Sequence, residues 1–162
     1  MNADTSCCDA DGAYKRIIEA WAREVKKRGL NLSQLKRSTG FSRNSLTEWM
    51  DMKRDPSIAN VSRCLHAVGL EMRIEGKSPG MTGMPEFRPD ESESWDIFRF
   101  DFFPIAMERA NCPAYRLSVR AGLGYNVVYA WLQGRSKPKA RALIKALYAL
   151  GYEIHIQPTD KG

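Results

Sequence analysis

The sequence predicts an all-α protein in the main, made of two copies of one helical unit, each ending in a short β-strand. Three observations carry this. Apolar residues recur at intervals of three and four along most of the chain. Gly, Asn and Ser punctuate those runs where helices should end and begin. The chain also repeats itself, without a gap, at an offset of 82 residues. Leu35 falls on Leu117, Gly40 on Gly122, Asn44 on Asn126, Trp49 on Trp131, Pro56 on Pro138, Leu65 on Leu147 and Gly69 on Gly151. Other pairs keep their character, among them Phe41/Leu123, Leu46/Val128, Lys53/Arg135 and Met72/Ile154. Chance does not readily hold a Gly, a Trp and a Pro in register with such pairs.

Residues 1–12 read as a disordered acidic tail. The first unit spans 13–77. Ile17, Ile18, Trp21 and Val25 share one face of a helix over 13–28, which Gly29 stops. Asn31 with Gln34 forms a capping-box pattern for a short helix that ends at Gly40. Ser42 can cap the next helix, which runs to about Met50 with Leu46 and Trp49 inward. Lys53 to Asp55 is a loop, and Pro56 suits a helix entry. Ile58, Val61, Leu65 and Val68 mark that helix; Leu70, Met72 and Ile74 then alternate with charges as a strand. Residues 78–95, rich in Pro, Gly, Ser and acid, form a linker. The second unit spans 96–158. Asp101 caps a helix whose first turn tolerates Pro104, and helices near 114–121, 124–132 and 139–150 precede the strand at Tyr152, Ile154 and Ile156.

The charge is uneven. Residues 14–77 hold 14 Lys/Arg against 7 Asp/Glu and residues 96–162 hold 10 against 5, whereas 1–13 and 78–95 are net acidic. Two basic blocks favour a polyanionic partner through phosphate contacts and counterion release. None of the four cysteines has CxxC spacing, and neither His66 nor His155 has a second ligand near it in sequence, so no metal and no cofactor is expected. Cys7 and Cys8 are adjacent and suggest no structural disulfide with one another. The chain shows neither a secretory signal pattern nor an apolar run of membrane length, and a cytoplasmic protein is expected. No nucleophile set, paired-carboxylate signature or phosphate loop stands out, so an enzyme is not expected.

A short helix, a glycine turn and a second short helix make a helix-turn-helix unit. The run Leu35…Gly40-Phe41-Ser42-Arg43-Asn44…Trp49…Pro56-Ser57…Gly69 resembles the Cro/lambda-repressor-like (XRE) family, and Leu117…Gly122…Asn126…Trp131…Gly134…Pro138…Gly151 resembles it again. The resemblance implies a regulator of transcription, such as a repressor of a mobile element, that binds double-stranded DNA. It implies base contacts from Arg43, Asn44, Thr47 and Glu48 in the first unit and from Tyr125, Asn126 and Tyr129 in the second. It implies phosphate contacts from Ser42, Lys53, Arg54, Arg135, Lys137 and Lys139. Arg pairs with guanine, Asn with adenine, Glu with cytosine, and Tyr meets a thymine methyl or a phosphate. The sequence departs from the family pattern at Leu32 and Ala114, where Gln is common, at Lys36 and Ser118, where a small Ala is common, and at Met52, where the second unit keeps Gly134. The two strands suit pairing within one chain as a covalent pseudo-dimer, or between chains in a four-unit homodimer. Two unlike reading helices about one helical turn (~34 Å) apart imply two unlike half-sites. The alternative is a protein-binding module that keeps this fold: an antitoxin, an antiactivator or an RNA polymerase adaptor, with a toxin or the polymerase as partner.

Overall fold

The apolar stripe of the first helix determines how the chain begins to pack. A computed structural model describes residues 4–76 and 103–159; the 78–95 linker and Asp101 lie outside these. Helix α1 (Asp4–Lys27) buries Ala10, Ala13, Tyr14, Ile17, Ile18, Trp21 and Val25, neighbours at steps of one, three and four that fall on a single helical stripe. Residues 4–12, expected in a tail, therefore continue this helix. The acidic composition concealed it, and Ala10 extends the stripe as a small side chain against the core. Gly29, at φ 65°, closes the helix, with the Leu30 amide donating to the Val25 carbonyl at 3.1 Å.

The next elements follow their caps. In α2 (Leu32–Thr39), Asn31 Oδ1 accepts from the Gln34 amide and Gln34 Oε1 accepts from the Asn31 amide, both at 2.8 Å. Gly40 ends α2 at φ 81°. Ser42 Oγ accepts from the Ser45 amide at 3.1 Å and starts α3 (Arg43–Met50). The start of α4 (Ile58–His66) is set by Ser57, whose Oγ accepts from the Asn60 amide, one residue after the Pro56 entry expected. Strand β1 covers Leu70–Gly76. The second unit runs α5 (Phe103–Arg109), α6 (Ala114–Arg120), α7 (Val127–Leu132), α8 (Ala140–Ala149) and β2 (Tyr152–Pro158). Among the described residues the molecule is thus mainly helical, with one small antiparallel sheet. None of the described helices is long and apolar enough to cross a membrane.

The two strands pair with each other inside the chain, so the arrangement between chains is not needed to satisfy them. Leu70 faces Pro158, Arg73 faces His155 and Gly76 faces Tyr152. Arg73 and His155 are equivalent positions under the 82-residue offset, and pairs on either side of them exchange equivalents symmetrically. A second bridge joins Ser57 to Lys139, again equivalent positions. Two equivalent residues that face each other lie on a twofold axis, so these pairs mark a pseudo-twofold running from the sheet to the loops before α4 and α8.

A two-stranded sheet is marginal alone, and here the core holds it. Met72, Ile74 and Tyr152 are buried beneath the sheet. Helix α1 of the first unit packs along α8 of the second. The buried side chains of both units form one continuous core, with Trp49 edge-on to Phe41 at 5.0 Å and Trp131 edge-on to Phe103 at 6.4 Å. Arg141 of α8 joins the units at the surface. Its guanidinium lies over the Tyr14 ring at 4.9 Å, and its Nε is 3.5 Å from Asp55 Oδ1, close enough to pair as charges but without hydrogen-bond geometry.

Two expectations follow. A shared core unfolds as one cooperative unit. Calorimetry should show a single transition with equal van't Hoff and calorimetric enthalpies; two separable transitions would mean that the units fold independently. Burial, reinforced by the Asp55 carboxylate and opposed by the Arg141 cation, pushes the Tyr14 phenol up from its ordinary 10 to about 12, and burial alone does the same at Tyr152. A phenol whose folded pKa is raised contributes stability that is present below the unfolded value and is lost as pH climbs to the folded one. Stability should therefore fall between about pH 10 and 12. Because the Tyr14 hydroxyl makes no hydrogen bond, Tyr14→Phe should flatten that fall, measured by denaturant titration across this window, while costing little at pH 7.

Candidate nucleic-acid interface

The outer face of α3 is built by its own cap and by two anchors. Leu46 and Trp49 point into the core, which turns Arg43, Asn44 and Thr47 outward and leaves them exposed. These three predicted base readers thus stand on one capped helix. Predicted phosphate partner Ser42 is occupied by the cap: its Oγ accepts from the Ser45 amide and donates to Ser45 Oγ at 3.1 Å. Glu48 is half-buried, and its carboxylate lies 3.8 Å from the Arg54 guanidinium. A cytosine would have to compete with Arg54 for it, though a pair so exposed holds with less than about 1 kcal/mol. Lys53 and Arg54 project from the loop after α3, whose backbone turns through Met52 at φ 59°. A left-handed Met is costly where the second unit has Gly134 at φ 78°. Met52 packs against the core, which helps hold the turn.

The second unit departs from the first at the start of its second helix. Helix α7 begins at Val127, three residues later than the 124 expected. Gly124 occupies the position of Ser42 and has no hydroxyl to accept from the following amides, and Asn126 makes no side-chain cap bond. Tyr125 and Asn126 consequently lie in the turn before the helix, both exposed, rather than in its first turn. Tyr129 lies on α7, exposed, with the Arg135 guanidinium over its ring at 5.8 Å. The free amide of Val128 finds another partner. Ser118 of α6, fully buried, accepts from it through Oγ at 3.1 Å and donates to the Ala114 carbonyl at 3.0 Å. In the sequence Ser118 stands out only as a departure from the family pattern; its hydroxyl beside Leu117, with a glycine at the cap position six residues on, is the signal that could point to this role.

The basic loops of the two units meet at the pseudo-twofold. The Ala140 amide donates to the Pro56 carbonyl at 2.7 Å, beside the Ser57–Lys139 bridge. Lys139 lines a cleft with Ser45, Trp49, Arg54 and Asp55, so a second-unit cation stands beside α3. Arg135, Lys137 and Lys139 are all exposed on the approach to this joint, as are Lys53 and Arg54 on the other side. At the opposite end of the axis, the sheet brings together groups the sequence kept apart. His155 Nε2 lies 3.1 Å from Glu153 Oε1 and 3.2 Å from Glu75 Oε1, the latter contributed by the partner strand. The imidazole sits between two carboxylates that face each other across the ladder. Two carboxylates and an imidazole are a set able to hold a divalent cation, and this set was invisible to a search for neighbours in sequence. Arg73, 3.3 Å from Glu75, supplies a positive charge on the same face and opposes a cation there.

The two hydroxyls do equivalent work by different routes, which can be measured. Ser42→Ala should cost about 1 kcal/mol through loss of the α3 cap. Ser118→Ala should cost about 1–3 kcal/mol because it orphans a buried amide; urea titration of both variants reads the difference, and equal, near-zero costs would contradict these roles. Against known proteins, no family model, curated sequence or solved structure matches the chain.

Proposed function

We propose that the chain is a sequence-specific double-stranded DNA-binding regulator of transcription, with two helix-turn-helix units that read two unlike half-sites. The observation that carries this reading is α3: a helix capped by Ser42, anchored by Leu46 and Trp49, and presenting Arg43, Asn44 and Thr47 together to solvent. Arg and Asn are the side chains suited to bidentate contacts with guanine and adenine in a major groove. The cations Lys53, Arg54, Arg135, Lys137 and Lys139 supply sequence-independent attraction to phosphates on either side of the pseudo-twofold. A twofold relation between units also matches the symmetry of a duplex. Because Arg43 is matched by Tyr125 and Thr47 by Tyr129, the two halves of the site must differ. Glu48 and Ser42, already engaged, play a smaller part in contacts.

The test is selection from a pool of random short duplexes at physiological salt, followed by sequencing of what the protein retains. The expected result is an asymmetric motif in two parts, about one helical turn apart. Arg43→Ala should relax preference at one position of one half and cost about 1–3 kcal/mol there. Lys53→Ala should weaken all sequences alike and flatten the salt dependence. Retention without a motif would reduce the function to phosphate binding, and no retention would overturn it.

A further inference from the structure

The exposed large apolar side chains among the described residues all belong to the second unit: Ile105, Tyr115, Val119, Tyr125 and Tyr129. At the equivalent positions the first unit carries Arg23, Ser33, Arg37, Arg43 and Thr47. Every exposed apolar residue of one copy thus replaces a polar or charged residue of the other. Scattered exposed apolar residues need no explanation, but a one-sided set of five does.

Two of them form a row on α6. Tyr115 and Val119 are four residues apart on the side of the helix away from buried Leu117 and Ser118, and are 67% and 54% exposed. Beside them runs a second row, Arg116 and Arg120, also exposed, where the first unit has Gln34 and Ser38. Arg120 Nη1 donates to the buried Cys112 sulfur at 4.0 Å. Glu108 is the one acidic residue of 103–120. On this face the second unit thus carries Tyr115, Val119, Arg116 and Arg120 where the first carries Ser33, Arg37, Gln34 and Ser38, so hydrocarbon stands beside two cations.

We infer that this face of α6 is a docking surface for an acidic, amphipathic segment of a partner protein. The arginines supply the charge complementarity, and Tyr with Arg is the pairing that interface centres favour. A DNA backbone would satisfy Arg116 and Arg120 but offers nothing apolar to Tyr115 and Val119 at a helix that does not enter the groove. A second copy of this face would meet it with like charge. The surface is separate from the α3 face on which the DNA reading rests, so either stands if the other fails.

The experiment is titration of the full-length ¹⁵N-labelled chain with a synthetic acidic peptide bearing Leu and Phe anchors at helical spacing among Asp and Glu. Expected are saturable amide shifts centred on residues 114–120. Tyr115→Ser with Val119→Arg installs the first unit's own residues, which that unit carries in a folded helix; binding should weaken about tenfold or more. Replacing the peptide's anchors by Ser at unchanged charge should weaken it similarly. No binding, shifts centred elsewhere, indifference to the double variant, or equal binding of the anchorless peptide would each overturn the proposal. So would shifts at 114–120 produced by a random DNA duplex, or by raising the concentration of the chain alone.

Discussion

The antiparallel pairing of β1 with β2 imposes the constraint from which the rest of the molecule follows. Its register is centred on Arg73 opposite His155, two equivalent positions of the repeat. A slip by one residue would turn Met72 and Ile74 out of the core and Arg73 into it, so burial enforces the register. Once the register is set, a twofold relation between the units is unavoidable, and the Ser57–Lys139 bridge is its second expression. The strands could not hold this alone. The core beneath them and the α1–α8 contact supply the hydrophobic burial that makes the pairing permanent.

Within that symmetric frame the copies have diverged in how they stabilise the same turn. The first unit caps α3 locally, with Ser42. The second has lost the cap to Gly124 and satisfies the Val128 amide through Ser118, a residue of the preceding helix. The local solution starts the helix early and places Arg43 and Asn44 within it. The non-local one starts it late and leaves Tyr125 and Asn126 in the turn. A difference of one hydroxyl thus changes which side chains a helix can present. The surfaces differ too: all five exposed large apolar side chains among the described residues lie on the second unit.

The axis separates two chemical environments. At one end the loops gather cations of both units around Pro56 and Lys139; at the other the sheet gathers Glu75, Glu153 and His155. The polarity comes from the fold and not from any single stretch of chain, because each cluster draws on residues about eighty positions apart. The acidic groups at the loop end, Asp55 and Glu48, lie beside Arg141 and Arg54, which offsets their repulsion of the phosphates that the proposed DNA reading needs there.

Helix positions, their glycine stops and the first-unit caps were legible in the sequence because they depend on neighbours within one turn: Asn31 with Gln34, Ser42 with Ser45, Gly40 at φ 81°. The repeat was legible because an offset of 82 residues is a property of the string alone. The outward placement of Arg43, Asn44 and Thr47 followed from the period of Leu46 and Trp49. The extension of α1 to Asp4 was not, since an acidic, Cys-containing segment has no periodic signal of its own, and Ala10 shows as part of the buried stripe only in the fold. Nor was the late start of α7, the engagement of Glu48 by Arg54, or the meeting of His155 with Glu75. Each depends on groups brought together by packing, and local periodicity carries no information about which distant residue will arrive. The choice between pairing the strands within the chain and between chains was of the same kind: the alternation of Met72 and Ile74 specifies a strand, but burial against the shared core selects its partner.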